Sequence, residues 1–161
     1  MPIPAYVKFK GKKSGEMKGS VAIKGREGTS EVIEFDHNVY LPSDKGTGRP
    51  TGTRVHGPLK LTKAYDSASP LLYAACCNGE TLTEVTITWY AIDETGAETE
   101  YFTHKLENAK VAGVRALMPN TKDPEKERYV HQEEVLLVYE AIEWTYKDGN
   151  IMARDAWLEA H

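Results

Sequence analysis

Five histidines, a pair of adjacent cysteines and one glycine-rich run are the parts of this chain whose residue types invite a chemical reading. His37, His56, His104, His131 and His161 show no HExxH or other ligand spacing, which points to structural or surface roles. Cys76 and Cys77 are neighbours in a stretch with helical character. A disulfide between them is geometrically awkward, and their spacing matches no metal or redox motif. The run GTGRPTG, with Gly46, Gly48 and Gly52, superficially resembles a phosphate-binding loop. The spacing is wrong for GxGxxG, no helix follows, and GK[ST] is absent. There is no GxSxG elbow. Asp36 and His37 offer two members of a Ser-His-Asp set, but no partner serine can be named. Glu34 and Asp36 are equally well explained as half of a carboxylate pair or as a solvated strand face. No enzyme signature survives, so no catalytic residue, metal or cofactor is expected.

These residues lie on a β-rich framework. From Ile33 the odd positions run Ile33, Phe35, His37, Val39, Leu41, between Glu34, Asp36, Asn38 and Tyr40, a period of two that predicts a half-buried strand with only Val32 out of phase. Residues 42–58 then give seventeen positions with three prolines, four glycines and no apolar periodicity. A structureless loop of that length is usually functional or disordered. Before it, residues 5–10 read as a strand, 11–15 as a turn, and 18–24 as a strand carrying Val21 and Ile23. After it, residues 57–65 resume a strand on Leu59 and Leu61. Ser69–Asn78 is the one convincing helix, with Ser69 as N-cap, Pro70 at the first helical position and Asn78-Gly79 as the stop. Its apolar face is expected to be Leu71, Leu72, Ala75 and Cys76.

The remainder reads as β. Residues 82–92 alternate, 93–97 form a hairpin loop, and 98–117 are too long for one straight strand, so a bend is expected near Asn108-Ala109 or Gly113. Residues 118–128 form a polar loop. Both parities are apolar over 135–139, which predicts cover on both faces. Residues 147–150 make a tight turn into a last strand at 151–157. The count is about eight strands and one helix, mainly β, closing as a barrel or two-sheet sandwich in a single domain.

Composition narrows the class further. The chain has 161 residues, 40% hydrophobic and 27% charged, the profile of an ordinary soluble domain. A net charge of -4 argues against nucleic acid. No signal-type apolar run opens the sequence and no stretch approaches a membrane span, so synthesis and folding in the cytoplasm without membrane insertion are expected.

Four stretches, GREGTSEVIEFDHNVYLP, TGTRVHGPLKLTK, SASPLLYAA and YEAIEWTYKDGNIMARDAW, together resemble the haemolysin-coregulated protein family, the tube proteins of the bacterial type VI secretion system. The resemblance covers essentially the whole chain in one order. It implies a two-sheet β-barrel with a flanking helix, assembling into homohexameric rings that stack into a hollow tube. Its implied partners are a spike protein of the VgrG type, a contractile sheath, and effector proteins carried in the lumen; the tube itself is delivered outward. Because the sequence ends at His161 just after its last strand, the plain tube form without a toxin domain is expected. The family's extended loop contacts the adjacent subunit, which carries that role onto Tyr40, Leu41, Arg49, Thr51, Thr53, Arg54, His56 and Pro58. Glu34, Asp36 and Asn38, the polar face of the central strand, are the expected lumen-facing groups. A small-molecule-binding barrel with a long lid loop is the alternative. A barrel enzyme using His37, Asp36 or His104 is weaker, for want of a motif.

Overall fold

A computed structural model describes residues 3–157; the histidine at position 161 lies outside the described residues. The strands, in chain order, are β1 (Ala5–Gly11), β2 (Gly15–Met17), β3 (Ser30–Asp36), β4 (Val39–Tyr40), β5 (Val55–His56), β6 (Leu59–Ala64), β7 (Thr81–Ile92), β8 (Glu98–Leu117), β9 (Gln132–Val138), β10 (Ala141–Tyr146) and β11 (Ile151–Ala156). Helix α1 (Ser69–Asn78) lies between β6 and β7, and a 3-10 turn spans Pro124–Lys126.

Eight strands form one path in the order β11-β10-β8-β7-β1-β3-β6-β9, with β2 added to β1. Because β8 pairs with both β7 and β9, the six strands β7, β1, β3, β6, β9 and β8 close into a barrel. This closure depends on the length of β8. Its first half pairs with β10 from Phe102 to Glu107, and its second half pairs with β9 from Lys110 to Leu117. Between the halves Asn108 has φ 49, and the β9 register shifts between Val111 and Gly113. Both expected bends are therefore present, and the positive φ at Asn108 suits a residue that tolerates the left-handed region. Strands β10 and β11 continue from the first half of β8 as a flap beyond the barrel.

The interior is filled. Val7, Phe9, Leu59, Leu61, Val85, Ile87, Leu106, Val135 and Leu137 have no solvent exposure and belong to one core cluster. Apolar side chains thus occupy the space where the ligand-binding alternative needs a hollow.

Four details depart from the sequence expectation. In β3 the pairing with β6 shifts between Val32 and Glu34, so Val32 is buried while Ile33 is exposed. An irregularity of one residue inverts strand parity, and a period-two reading that starts after it assigns the earlier residues to the wrong face. Residues 18–24 are a loop rather than a strand; its backbone bonds run to residues 28–29, including Gly19 N–H to the Gly28 carbonyl at 2.9 Å. Arg26 fastens that loop, its guanidinium 3.8 Å from the Tyr90 ring centroid and 2.8 Å from Glu98 Oε2.

The helix has the expected bounds, with Gly79 left-handed at φ 67. Of its expected apolar face, Leu72 and Ala75 are buried and Cys76 packs against the core, while Leu71 is exposed. Ser69 does not cap it: Ser69 Oγ accepts the Asp66 N–H at 3.0 Å and donates to Glu133. Finally, β9 is covered on one face: Val135 and Leu137 are core, whereas Val138 is exposed.

Candidate functional site

The segment after β3 is ordered. Strands β4 and β5 pair through Val39 with His56 and Tyr40 with Val55, and an isolated bridge joins Ser43 to Pro50. Thr51 N–H donates to the Pro42 carbonyl at 2.8 Å, and Asp44 N–H to the Arg49 carbonyl at 2.7 Å. At the tip, Asp44 accepts the Gly46 N–H at 3.1 Å and the Thr47 hydroxyl at 2.9 Å, bonds that hold its carboxyl below the usual carboxylate range. The expected structureless loop is thus a twisted β-ribbon, in which turn chemistry replaces apolar periodicity as the ordering force.

The root of the ribbon is bolted to the body by a chain of polar contacts. Arg54 Nε donates to Asp155 Oδ2 at 2.8 Å, and its Nη2 donates to Asp155 Oδ1 at 3.2 Å. His56 Nε2 lies 2.6 Å from the same Asp155 Oδ2, His56 Nδ1 lies 2.7 Å from the Tyr139 hydroxyl, and that hydroxyl lies 2.8 Å from His37 Nε2. Chemistry orders the protons. A carboxylate only accepts, so His56 donates from Nε2 to Asp155, and the Tyr139 hydroxyl bridges His56 Nδ1 and His37 Nε2. Trp157 and Trp144 flank the His56 ring at centroid distances of 5.1 and 6.5 Å.

Asp155, His56 and Tyr139 have the connectivity of a carboxylate-imidazole-hydroxyl relay. Tyr139 and His56 are both buried, and burial followed by the nearby Asp155 charge raises the Tyr139 pKa. Burial that disfavours the phenolate works against nucleophilic activation, so the arrangement behaves as an anchor. Burial also pushes the His37 ring below its ordinary value, with His56 adding to the effect and Asp36 opposing it. His104 goes further, to about 4, through burial and then His37. Among the described residues no group of three or more His, Cys, Asp or Glu is placed to hold a metal.

The eight residues carried over as the contact arm divide into two sets. Tyr40, Leu41, Arg49, Thr51, Thr53 and Pro58 are exposed on the ribbon or at its base. Arg54 and His56 instead face the subunit's own interior at the root. Of the expected lumen residues, Glu34 and Asp36 lie on the outer face of the barrel, with Glu34 paired in register with Thr62 and Asp36 with Lys60. Nearby, Lys60 and Arg115 reach Glu134 at 3.5 and 3.7 Å, so this face is polar and of mixed charge. Asn38 is exposed at the ribbon base, where its carbonyl accepts the Gly57 N–H at 2.9 Å.

Sequence reasoning missed a polar cluster built on a fully buried Lys63-Glu133 pair. Lys63 Nζ contacts Glu133 Oε1 at 2.5 Å, Asp66 Oδ1 at 2.9 Å and Ser69 Oγ at 3.2 Å. The signal was present: Lys63 continues the Leu59, Leu61 core parity, and Glu133 begins the Val135, Leu137 parity, in strands that pair Lys63 with Glu133. Opposite charges at matched core positions are how a sequence announces a buried ion pair. No comparable signal marks Asp155 or Tyr139 as partners of His56, which lies 83 residues before Tyr139 and 99 before Asp155.

Comparison with known proteins places this architecture in a class. The family model described as "Type VI secretion system effector, Hcp" matches residues 6–146. The chain is 37% identical to the major exported protein of Pseudomonas aeruginosa PAO1, over 98% of this chain and 96% of that protein. A double-mutant Hcp1 structure from E. coli EAEC 042 shares 46% identity with TM-score 0.86, covering 96% of this chain and 99% of that one. The secreted protein Hcp3 of Pseudomonas aeruginosa shares 31% identity with TM-score 0.80, covering 97% and 99%. A closed β-barrel with one flanking helix is thus the fold of a type VI secretion tube protein. The chain belongs to the haemolysin-coregulated protein (Hcp) family.

Proposed function

We propose that this chain is the ring-forming subunit of a type VI secretion tube, six copies closing a ring and rings stacking around a common lumen. The ribbon carries this reading. It leaves the body as a free two-stranded arm with Tyr40 and Leu41 about half exposed, at 51% and 52%, and its tip bonds run within the ribbon itself. Exposed apolar groups on a rigid projecting element suit a partner surface. A heterologous contact whose rotation closes makes a ring, and repetition along the axis makes a tube.

In this reading Tyr40, Leu41, Arg49, Thr51, Thr53 and Pro58 meet a neighbouring subunit, while Arg54 and His56 set the arm's angle from inside. Glu34, Asp36 and Asn38 face the lumen, where a hydrophilic wall lets effector proteins pass without sticking. The tube binds a spike protein of the VgrG type at its tip, runs inside a contractile sheath, and leaves the cytoplasm on firing. Its role is structural rather than enzymatic. Light scattering of the purified protein with negative-stain microscopy of the same peak tests the reading. The expected particle is six chains with an open centre; a monomer at all concentrations would overturn it.

A further inference from the structure

Both roots of the ribbon converge on one phenol. His37 lies between β3 and β4, His56 lies on β5, and Tyr139 lies in the turn between β9 and β10. The Tyr139 oxygen is 2.8 Å from His37 Nε2 and 2.7 Å from His56 Nδ1, so one atom of the body ties the outgoing and the returning strand. Tyr139 is buried, and its hydroxyl has no third hydrogen-bond partner among the described residues. The ribbon's own ladder adds little. Its β4-β5 pairing is two residue pairs long, and so short a two-stranded hairpin is marginal by itself in water.

Proton counting sets what this junction tolerates. A phenol oxygen has one hydrogen to donate and two lone pairs with which to accept. With both rings neutral, one ring nitrogen accepts that hydrogen and the other donates an N–H, whichever ring plays which part. One added proton is also accommodated: a charged His56 donates from Nε2 to Asp155 and from Nδ1 to Tyr139, and the phenol donates to His37. A second is not. Both ring nitrogens then aim hydrogens at the same oxygen, the phenol hydrogen has no acceptor, and two cations share one buried contact. The surroundings do not offset this. Asp155 already answers Arg54 as well as His56, and the Trp144 and Trp157 rings that flank His56 carry no charge. His104, on β8 with its ring centre 6.4 Å from that of His37, can add only positive charge, which leaves Asp36, next in the chain, to favour a charged His37.

We propose that the His37-Tyr139-His56 junction is an acid-sensitive latch, which fixes the ribbon root while it holds no more than one added proton and releases it from the body on binding the second. Burial and then the His56 charge lower His37, so the second proton binds only in the acid range. The released root binds one proton more than the latched one. Release is therefore favoured by up to about tenfold per pH unit as pH falls below the ordinary histidine value, and the latch is closed at neutral pH. The device belongs to the single subunit and does not depend on what the ribbon meets.

Hydrogen exchange followed peptide by peptide by mass spectrometry, with protection factors corrected for the intrinsic pH dependence, tests the latch. Between about pH 7 and about pH 5, peptides covering residues 38–41 and 54–57 are expected to lose protection by about tenfold or more, while peptides of β1 and β7 stay protected. His37→Gln supplies an amide that can donate to or accept from Tyr139 at any pH and cannot charge, so its ribbon is expected to stay protected in acid. Tyr139→Phe removes the shared oxygen and is expected to expose the same peptides already at neutral pH. A parent ribbon whose protection is constant across this range would overturn the latch, and so would a His37→Gln chain with the parent's pH response. A Tyr139→Phe chain as protected as the parent at neutral pH would show that the phenol does not hold the root. Barrel peptides that open together with the ribbon would also overturn the inference, because the whole subunit would then be unfolding in acid.

Discussion

His104 sits among the rings of Phe35, Trp89 and Phe102, and its Nδ1 accepts the Trp89 indole N–H at 2.9 Å. Burial, and then the neighbouring His37, hold His104 at about 4 in the folded chain against 6.5 unfolded, and a proton on that nitrogen would also break the Trp89 bond. The linkage has one sign. Between these values the unfolded chain binds more protons, so the stabilisation is complete above pH 6.5 and is lost as pH falls toward 4. For His104 that loss amounts to about 3 kcal/mol, and the lowered His37 adds to it in the same direction. His104→Gln keeps an acceptor for Trp89 and removes the titration. Its denaturation midpoint is expected to fall less than the parent's between pH 6.5 and 4, and equal pH slopes would contradict the assignment. The Lys63-Glu133 pair behaves differently. Lys63→Met leaves Glu133 buried without its cation, and breaking a buried pair in this way costs about 3–5 kcal/mol. Urea unfolding measures it; a loss under 1 kcal/mol would mean that Ser69 alone satisfies the carboxylate.

At the scale of elements, the described side-chain bonds between the ribbon and the body gather at the root, through Arg54 and His56. Deleting residues 45–51 removes no core side chain and leaves the Arg54-Asp155 and His56-Tyr139 contacts in place. The shortened chain is expected to unfold within about 1 kcal/mol of the parent, as surface changes do, while assembly weakens. Intact rings from the deleted chain would show that the arm is not needed. Elements with strong local chemistry were legible in the sequence: α1 had its proline and glycine punctuation, and the bends of β8 were marked by Asn108 and Gly113. The ribbon was legible as an exception but not as a structure, because its order comes from Asp44 side-chain bonds and one isolated bridge rather than from apolar alternation. The reversed parity at Val32 and Ile33 was hidden for a related reason: a register shift is a property of two strands, and only one of them can be read at a time.

For the whole molecule, closure of the barrel leaves an outer wall whose polar face carries Glu34, Asp36, Lys60, Glu134 and Arg115 in mixed sign. None of these groups holds up the core, so the face is free to be shaped by what it meets in an assembly. If it faces the lumen, changing its charge alters what the tube carries and leaves the tube itself intact. Asp36→Arg tests this directly, since Asp36 pairs in register with Lys60 and a second cation there turns a mixed patch positive. Rings of unchanged size are expected by light scattering, with the amount of co-purifying effector changed by about tenfold, the equivalent of about 1.4 kcal/mol of repulsion or attraction. Rings that fail to form would place Asp36 in a subunit contact instead, and unchanged cargo with intact rings would move the lumen to another face of the barrel.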